Sequence, residues 1–352
     1  MNSMRRALRR KRQDVTAPNP LPESRRDINL PEELTKLPSG EEFLLFDSGP
    51  DDANRILIFG TQRNTDILVR SSSIYVDGTF KIVPELFYQL YTVHAVHPNG
   101  AVFPCIYALL PNKTTETYLR LFQKLKKLKP DLNPQDIMID FEKAAMNALE
   151  RVFPQVHVSG CFYHFSQSVY RKIQSEGLQR MYSTDAEFAI KCRMIAALAF
   201  VPQNLVVEAF EELQESSPDE LGPIIDYFED TYIGRKRRRN RAPPMFRHET
   251  WNMNERAANE LPKTNNKVEG WHRKMVSAVN SCHPNFWHFL EVLKKEQTLS
   301  NVVMNQAEAG QEGEKQRLKW RNCAQRIGNL VRDFEINNVL AFLRGIAHNV
   351  SM

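Results

Sequence analysis

Three apolar β-type runs between residues 73 and 110, followed at once by a helix-type segment, restrict this chain more than any other feature. Residues 74–80 read Ile-Tyr-Val-Asp-Gly-Thr-Phe, residues 86–97 follow, and residues 101–110 close the group. The run 86–97 is apolar at both alternating positions, the pattern of a strand covered on both faces. Between it and the third run, His97-Pro98-Asn99-Gly100 supplies the Asn-Gly chemistry of a tight hairpin turn. Residues 114–128 then carry Tyr118, Leu119, Phe122 and Leu125 along one helical stripe. From there the pattern alternates: strand at 137–139, helix at 142–153, strand at 155–159 and helix at 161–174.

Three antiparallel strands followed by two that alternate with helices is the order of an RNase H-like mixed sheet. The predicted fold class is therefore α/β, a mixed five-stranded sheet with flanking helices. Residues 183–250 change character, with helix-like segments and no strand pattern, and predict an all-α insertion. The remainder to the end predicts a helical C-terminal region. The expected division is a basic disordered arm at 1–40, lead-in strands and a helix at 41–72 and a core at 73–180. A helical insertion with a basic loop at 181–262 and a C-terminal helical part at 263–352 complete it. Proline-rich, weakly apolar sequence is the reason for expecting disorder in the arm.

One residue in the first run is out of place. Asp77 lies inside an apolar strand, where an unpaired ionised carboxylate is penalised by several kcal/mol, so a proton, a partner or a cation is expected beside it. Asp140 ends the strand 137–139, and Glu269 opens a helix in Asn265-Asn266-Lys267-Val268-Glu269-Gly270-Trp271-His272. Carboxylates carried on two strands and a helix form the ligand set expected for two Mg²⁺ or Mn²⁺ ions engaged in phosphoryl transfer. Each acid also has a plain structural reading. Asp77-Gly78 is turn chemistry, Asp140 sits where an acid favours the following helix dipole, and Asn266 with Glu269 fits a capping box. Cys161 and His164 are spaced to share one helix face. Two ligands do not complete a zinc site, so His164 is expected to orient a phosphate or a carboxylate, or to be a core histidine. His272 and Arg273, one turn from Glu269, are expected to face DNA phosphates. Trp251, Trp271 and Trp287 read as core anchors.

Charge is concentrated in two places. The chain has 47 Lys and Arg against 42 Asp and Glu, a net charge of +5, yet residues 5–12 and 235–241 hold six basic residues each and no acid. The rest of the chain is acidic on balance, so these runs read as separate devices for a phosphate backbone or for nuclear import. Arg235, Lys236, Arg237, Arg238, Arg239 and Arg241 are the expected DNA-contacting residues of the second run. No apolar run reaches the length of about 18 residues that a membrane span takes. Five scattered cysteines without a Cys-x-x-Cys pair point to a reducing compartment.

Several segments taken in order resemble the transposase domain of Mutator-like elements. They are Asp77-Gly78-Thr79-Phe80, Gln89-Leu90-Tyr91-Thr92-Val93-His94, Leu109-Leu110-Pro111-Asn112-Lys113-Thr114, Asp140-Phe141-Glu142-Lys143-Ala144, Gly160-Cys161-Phe162-Tyr163-His164-Phe165 and Thr264-Asn265-Asn266-Lys267-Val268-Glu269. The resemblance implies a DDE-type DNA transposase on an RNase H-like core, with Asp77, Asp140 and Glu269 binding two divalent metal ions. It implies hydrolysis at the element's ends followed by strand transfer into double-stranded DNA, in the nucleus, with a homo-oligomer among the expected assemblies. Cys161 and His164 match the family's Cys-x-x-His element, and Asn265, Asn266, His272 and Arg273 fall beside the third acid as accessory residues. The zinc-binding DNA-recognition module of many relatives has no counterpart here, since no Cys or His precedes His94. A second expectation therefore stands beside the first: a domesticated, catalytically inactive DNA-binding or regulatory protein that keeps the fold.

Overall fold

The structure, a computed structural model, describes residues 20–238, 240–311 and 317–352. The basic run 5–12 and Arg239 of the second run lie outside the described residues. The chain divides into two compact units. One takes the chain up to Gln135 with Lys143–Val156 and Asn266–Gly313, and the other takes Asp136–Glu142, His157–Asn265 and Glu314–Met352.

The first unit is built on five antiparallel strands: β1 (Leu44–Asp47), β2 (Leu57–Phe59), β3 (Ser73–Thr79), β4 (Gln89–Val96) and β5 (Val102–Leu110). Their lateral order is β1-β2-β5-β4-β3. The double-sided apolar pattern of β4 is realised, every residue from Gln89 to Ala95 being buried. Asn99-Gly100 makes the turn into β5, with Gly100 at φ +81° and the His97 N–H donating to the Ala101 carbonyl at 2.9 Å. A left-handed φ of that kind is why glycine occupies the position. Helix Thr115–Leu128 starts where the Thr114 hydroxyl accepts from the Thr117 N–H, and buries Tyr118, Leu121, Phe122 and Leu125. Helix Phe286–Glu308, capped by Asn285, brings Trp287, Phe289, Leu290 and Leu293 into the core.

Two expectations change here. The lead-in strands do not stand apart from the sheet, because β2 pairs directly with β5 through Leu57↔Leu109, Ile58↔Ala108 and Phe59↔Tyr107. All three β2 side chains are buried, so the edge that β5 would otherwise expose is covered. Among the described residues seven strands form where five were expected. Residues 20–40 are likewise not a loose arm. Ile28, Leu34 and Leu37 are buried in one core cluster with Phe43, Phe59 and Trp287, and Arg25 donates to the carbonyls of Leu86 and Ala53. Three well-spaced apolar side chains suffice to hold this proline-rich segment although no helical or strand period links them.

In the second unit β6 (Asp136–Ile139) and β7 (His157–Gly160) run parallel, in the register Ile137↔Val158 and Ile139↔Gly160. Strands of both directions with many helices make the fold α/β, as expected. Around the parallel pair the unit is helical, including Phe162–Ser175, Ala186–Ala197, Val206–Glu215 and Gly222–Phe228. Its centre is aromatic: Phe165 stacks on Trp251 with ring centroids 5.2 Å apart, and Phe228, Tyr232 and Phe246 surround them. Gly160 is required where β7 ends, since a Cβ there would lie 2.3 Å from the Phe141 ring. The C-terminal region is not one continuous part. Helix Val339–Ala347 belongs with the insertion, where Arg344 makes a bidentate pair with Glu187 at 2.6 Å. Its buried face of Val339, Leu343 and Ile346 explains the preference, because that face needs an apolar partner.

Candidate active site

The strand β3 places Asp77 opposite Thr92 of β4, and the Asp77 residue is only 5% exposed. Its carboxylate accepts from the Gly78 N–H at 2.7 Å, and the imidazole Nδ1 of His272 stands 3.2 Å away on the other oxygen. Behind His272 the polar chain continues. Its Nε2 lies 3.4 Å from the Thr92 hydroxyl, and the His94 Nε2 lies 2.9 Å from the same hydroxyl. Thr92 and His94 are buried, and burial, with the nearby His272, holds the His94 imidazole well below its ordinary pKa. A neutral His94 can donate one proton to Thr92, and Thr92 can then donate onward to the Asp77 carbonyl at 3.2 Å or to His272. The buried carboxylate is thus partnered, as its position in an apolar strand demands.

His272 reaches Asp77 because helix Asn266–Val279 buries the stripe Val268, Trp271, His272, Met275 and Val279. Trp271 anchors it, with its Nε1–H donating to the buried Glu296 at 2.9 Å and its ring 5.8 Å from that of Tyr107. The expectation that His272 faces solvent phosphates is therefore corrected, since the imidazole turns inward. Arg273, the next residue, is exposed, as is Asn266. Glu269 is half-buried and stands one helical turn before His272. The helix starts at Asn266, so the residue ahead of it is Asn265, whose side chain is engaged elsewhere.

In the second unit Asp140 follows β6 directly. The His164 Nδ1 stands 2.6 Å from its Oδ1, and the Asn265 amide donates to the same oxygen at 3.4 Å. Cys161 precedes helix Phe162–Ser175, is fully buried, and donates its thiol proton to the Asn265 Oδ1 at 3.1 Å. The Cys-x-x-His pair thus sits on one helical turn as its spacing predicts, with the His164 Nδ1 beside the Asp140 carboxylate.

A polar cluster unforeseen in the sequence lies at the opposite strand ends of this unit. Asp136 Oδ1 accepts from Arg256 at 2.8 Å and Ser159 at 2.9 Å, with the His157 Nδ1 at 3.3 Å. Burial alone would raise the Asp136 pKa, but the His157 contact and the Arg256 charge outweigh it and hold the carboxyl at about 2. The His157 imidazole is raised in turn, chiefly by its contact with Asp136. The cluster is no Ser-His-Asp relay, because the single nitrogen Nδ1 faces both Ser159 and Asp136.

Three residues of the basic run 235–241 are engaged within their own unit. Arg235 pairs with Asp230 and Asp226, Lys236 with Glu211, and Arg241 with Glu229 and Glu211. Gly234 at φ +94° and an antiparallel bridge between Lys236 and Arg241 fold the run back on itself, leaving Arg237 and Arg238 exposed at its tip. Acids of the preceding helices, distant in sequence, supply the counter-charge.

The side chains expected to hold metal are oxygen donors of the kind Mg²⁺ and Mn²⁺ take. Among the described residues no group of three or more His, Cys, Asp and Glu is assembled as a metal cage, so the fit rests on donor chemistry and on the two anchored carboxylates. Comparison with known proteins bears on the same residues. Residues 73–168 match the family model of the MULE transposase domain, a span that contains Asp77, Asp140, Cys161 and His164 and stops short of Asn265 and Glu269. Among curated proteins, the PKS-NRPS hybrid synthetase cheA of Chaetomium globosum is 28% identical over 106 residues, 28% of this chain and 2% of that protein. The chain thus spans a very small part of that relative's length.

Proposed function

We propose, from the match of residues 73–168 to the family model of the MULE transposase domain, that the protein is a Mutator-like DNA transposase. Asp77, Asp140 and Glu269 are its metal-binding acids, on an RNase H-like core. The observation that carries the reading is that two of these acids lie inside the matched span and each has an imidazole Nδ1 at hydrogen-bond distance. Two bound Mg²⁺ or Mn²⁺ ions supply activation of the attacking oxygen and stabilisation of the leaving oxygen at a phosphodiester. The chain's own contribution is placement. His272, backed by Thr92 and His94, holds Asp77 from one side, while the Gly78 N–H fixes its second oxygen. Glu269 is carried on the helix that His272 and Trp271 lock onto the strands. Arg273, Arg237 and Arg238 are exposed cations suited to a phosphate backbone. DNA is the partner and the nucleus the location that go with this reading, the basic runs acting as import signals. No helix among the described residues is long and apolar enough to cross a membrane.

The test is nicking of supercoiled plasmid by the purified chain with Mn²⁺. Wild type is expected to nick, and Asp140→Asn and Asp77→Asn, with unchanged circular dichroism, are expected to lose at least about 100-fold in rate, the scale on which removal of one charge-stabilising group acts. Nicking that persists in both variants removes these acids from the site. A wild type that binds DNA without nicking it is the outcome that favours the domesticated protein.

A further inference from the structure

We propose that Cys161, Asn265 and His164 form a positioning frame for the Asp140 carboxylate, in which the thiol acts through the amide. The proposal rests on the reading of Asp140 as a metal ligand. The frame begins in the backbone. The Cys161 N–H donates to the Ile139 carbonyl at 2.8 Å, and the Phe162 N–H donates to the Lys263 carbonyl at 2.9 Å. These bonds tie the end of β6, the start of helix Phe162–Ser175 and the segment that carries Asn265 to one another.

The side chains then settle the orientation of the Asn265 amide at both ends. A thiol is a donor here, so it calls for the amide oxygen, and Sγ to Oδ1 is 3.1 Å. An ionised carboxylate only accepts, so it calls for the amide nitrogen, and Nδ2 to Asp140 Oδ1 is 3.4 Å. Turned over, the amide would oppose oxygen to carboxylate and leave the buried thiol without its acceptor. His164 reaches the same Oδ1 from the helix, 2.6 Å away. Asn265 is itself fully buried, so its two contacts are made without competition from water. Cys161 therefore touches no reacting group in this arrangement. It is a positioning residue whose influence passes through Asn265.

The experiment measures Mn²⁺ binding to the full chain without DNA, by electron paramagnetic resonance of the free ion, beside melting temperature and the Mn²⁺ dependence of nicking. Cys161→Ala and Asn265→Ala are each expected to weaken Mn²⁺ binding roughly 10-fold, the usual effect of losing an outer-shell partner. Cys161→Ser, which keeps a donor, is expected to recover most of that loss. The double variant is expected to be no weaker than Asn265→Ala alone, because both act along one path. Wild-type affinity in both alanine variants overturns the frame, as does a lowered melting temperature with unchanged affinity, or full additivity in the double variant. Should Cys161→Ala fail to fold, the comparison of Cys161→Ser with Asn265→Ala decides. Asp140→Asn separates the two levels. If it leaves Mn²⁺ affinity intact, Asp140 is not a ligand, whereas if it abolishes binding while Asn265→Ala leaves the affinity at the wild-type value, only the frame is lost.

Discussion

Asp136 offers the sharpest quantitative test of the electrostatics. Its carboxylate is one-fifth exposed and gathers Arg256, Ser159 and His157 on a single oxygen. The fall from an ordinary value of 3.8 to about 2 corresponds to about 2 kcal/mol of preference for the ionised, folded form. Asp136→Asn keeps an acceptor oxygen in the same place and removes only the charge, so at pH 5.5 the variant is expected to lose about 2 kcal/mol. A carboxylate whose pKa is depressed on folding stabilises above its unfolded pKa and loses that contribution as pH falls towards the folded value. The gap between wild type and variant is therefore full above about pH 5, about half its size at pH 3, and nearly closed at pH 2. His157 acts in the opposite direction. Its raised pKa adds stability that is complete below about pH 6.5 and fades as pH rises through the folded value. Equilibrium urea unfolding of both proteins at matched pH reads the difference, with contributions from groups that do not touch Asp136 cancelling; His157 stays protonated throughout the acid range compared. A gap of the same size at pH 2 and pH 5.5, or none at pH 5.5, refutes the assignment.

Gly234→Ala places a Cβ 1.9 Å from the Ala242 carbonyl oxygen in a residue with φ +94°. Left-handed strain alone costs about 1–2 kcal/mol, and an unchanged melting temperature would contradict the close approach. Trp271→Phe keeps most of the ring but removes the donor to Glu296, a carboxylate that stays buried beside Lys274. A loss of about 1–3 kcal/mol is expected in urea, and Glu296→Gln in the same background should return part of it. Thr92→Val preserves shape while removing the hydroxyl between His94 and His272. The Mn²⁺ concentration for half-maximal nicking is expected to rise at least about 3-fold, below the usual outer-shell range because His272 keeps its own contact with Asp77. Identical Mn²⁺ dependence would mean that the buried relay does not support Asp77.

Element order was legible from residue 42 onwards because each segment declares its own period. The doubly apolar run gave β4, Asn99-Gly100 gave the hairpin, and the Tyr118 stripe gave the long helix. Pairing was less legible. Nothing in Leu57-Ile58-Phe59 says which strand it will join, and it covers β5 because both present buried apolar faces. Ile28, Leu34 and Leu37 were hidden among prolines, where burial follows from reach and leaves no periodic trace. The inward turn of His272 did leave a signal. Val268, Trp271, His272, Met275 and Val279 stand at helical spacing, so counting the imidazole with the stripe predicts its burial. His94 carried the same mark as Asp77, a polar residue inside an apolar strand. By contrast, the partners of Arg235 and Arg241 come from acids up to 30 residues away, and a run of like charge gives no hint of them.

The choice of partner separates Asp77 and Asp140 from four other carboxylates of this chain. Asp47, Asp136, Glu187 and Glu229 are each matched with a guanidinium, from Arg55, Arg256, Arg344 and Arg241. Asp77 has His272 instead, and Asp140 has His164 within reach. A guanidinium is charged at every accessible pH and cancels the carboxylate it holds. An imidazole can donate Nδ1–H while neutral, which holds the carboxylate in place and leaves its negative charge available to a cation. Asp77 is buried in β3, so a partner that adds no fixed charge leaves its position able to take a cation. His272→Arg, which offers a donor with a permanent charge, is therefore expected to preserve or raise the melting temperature and yet abolish Mn²⁺ binding. A variant that binds Mn²⁺ as tightly as wild type would show that the imidazole at Asp77 serves the fold alone.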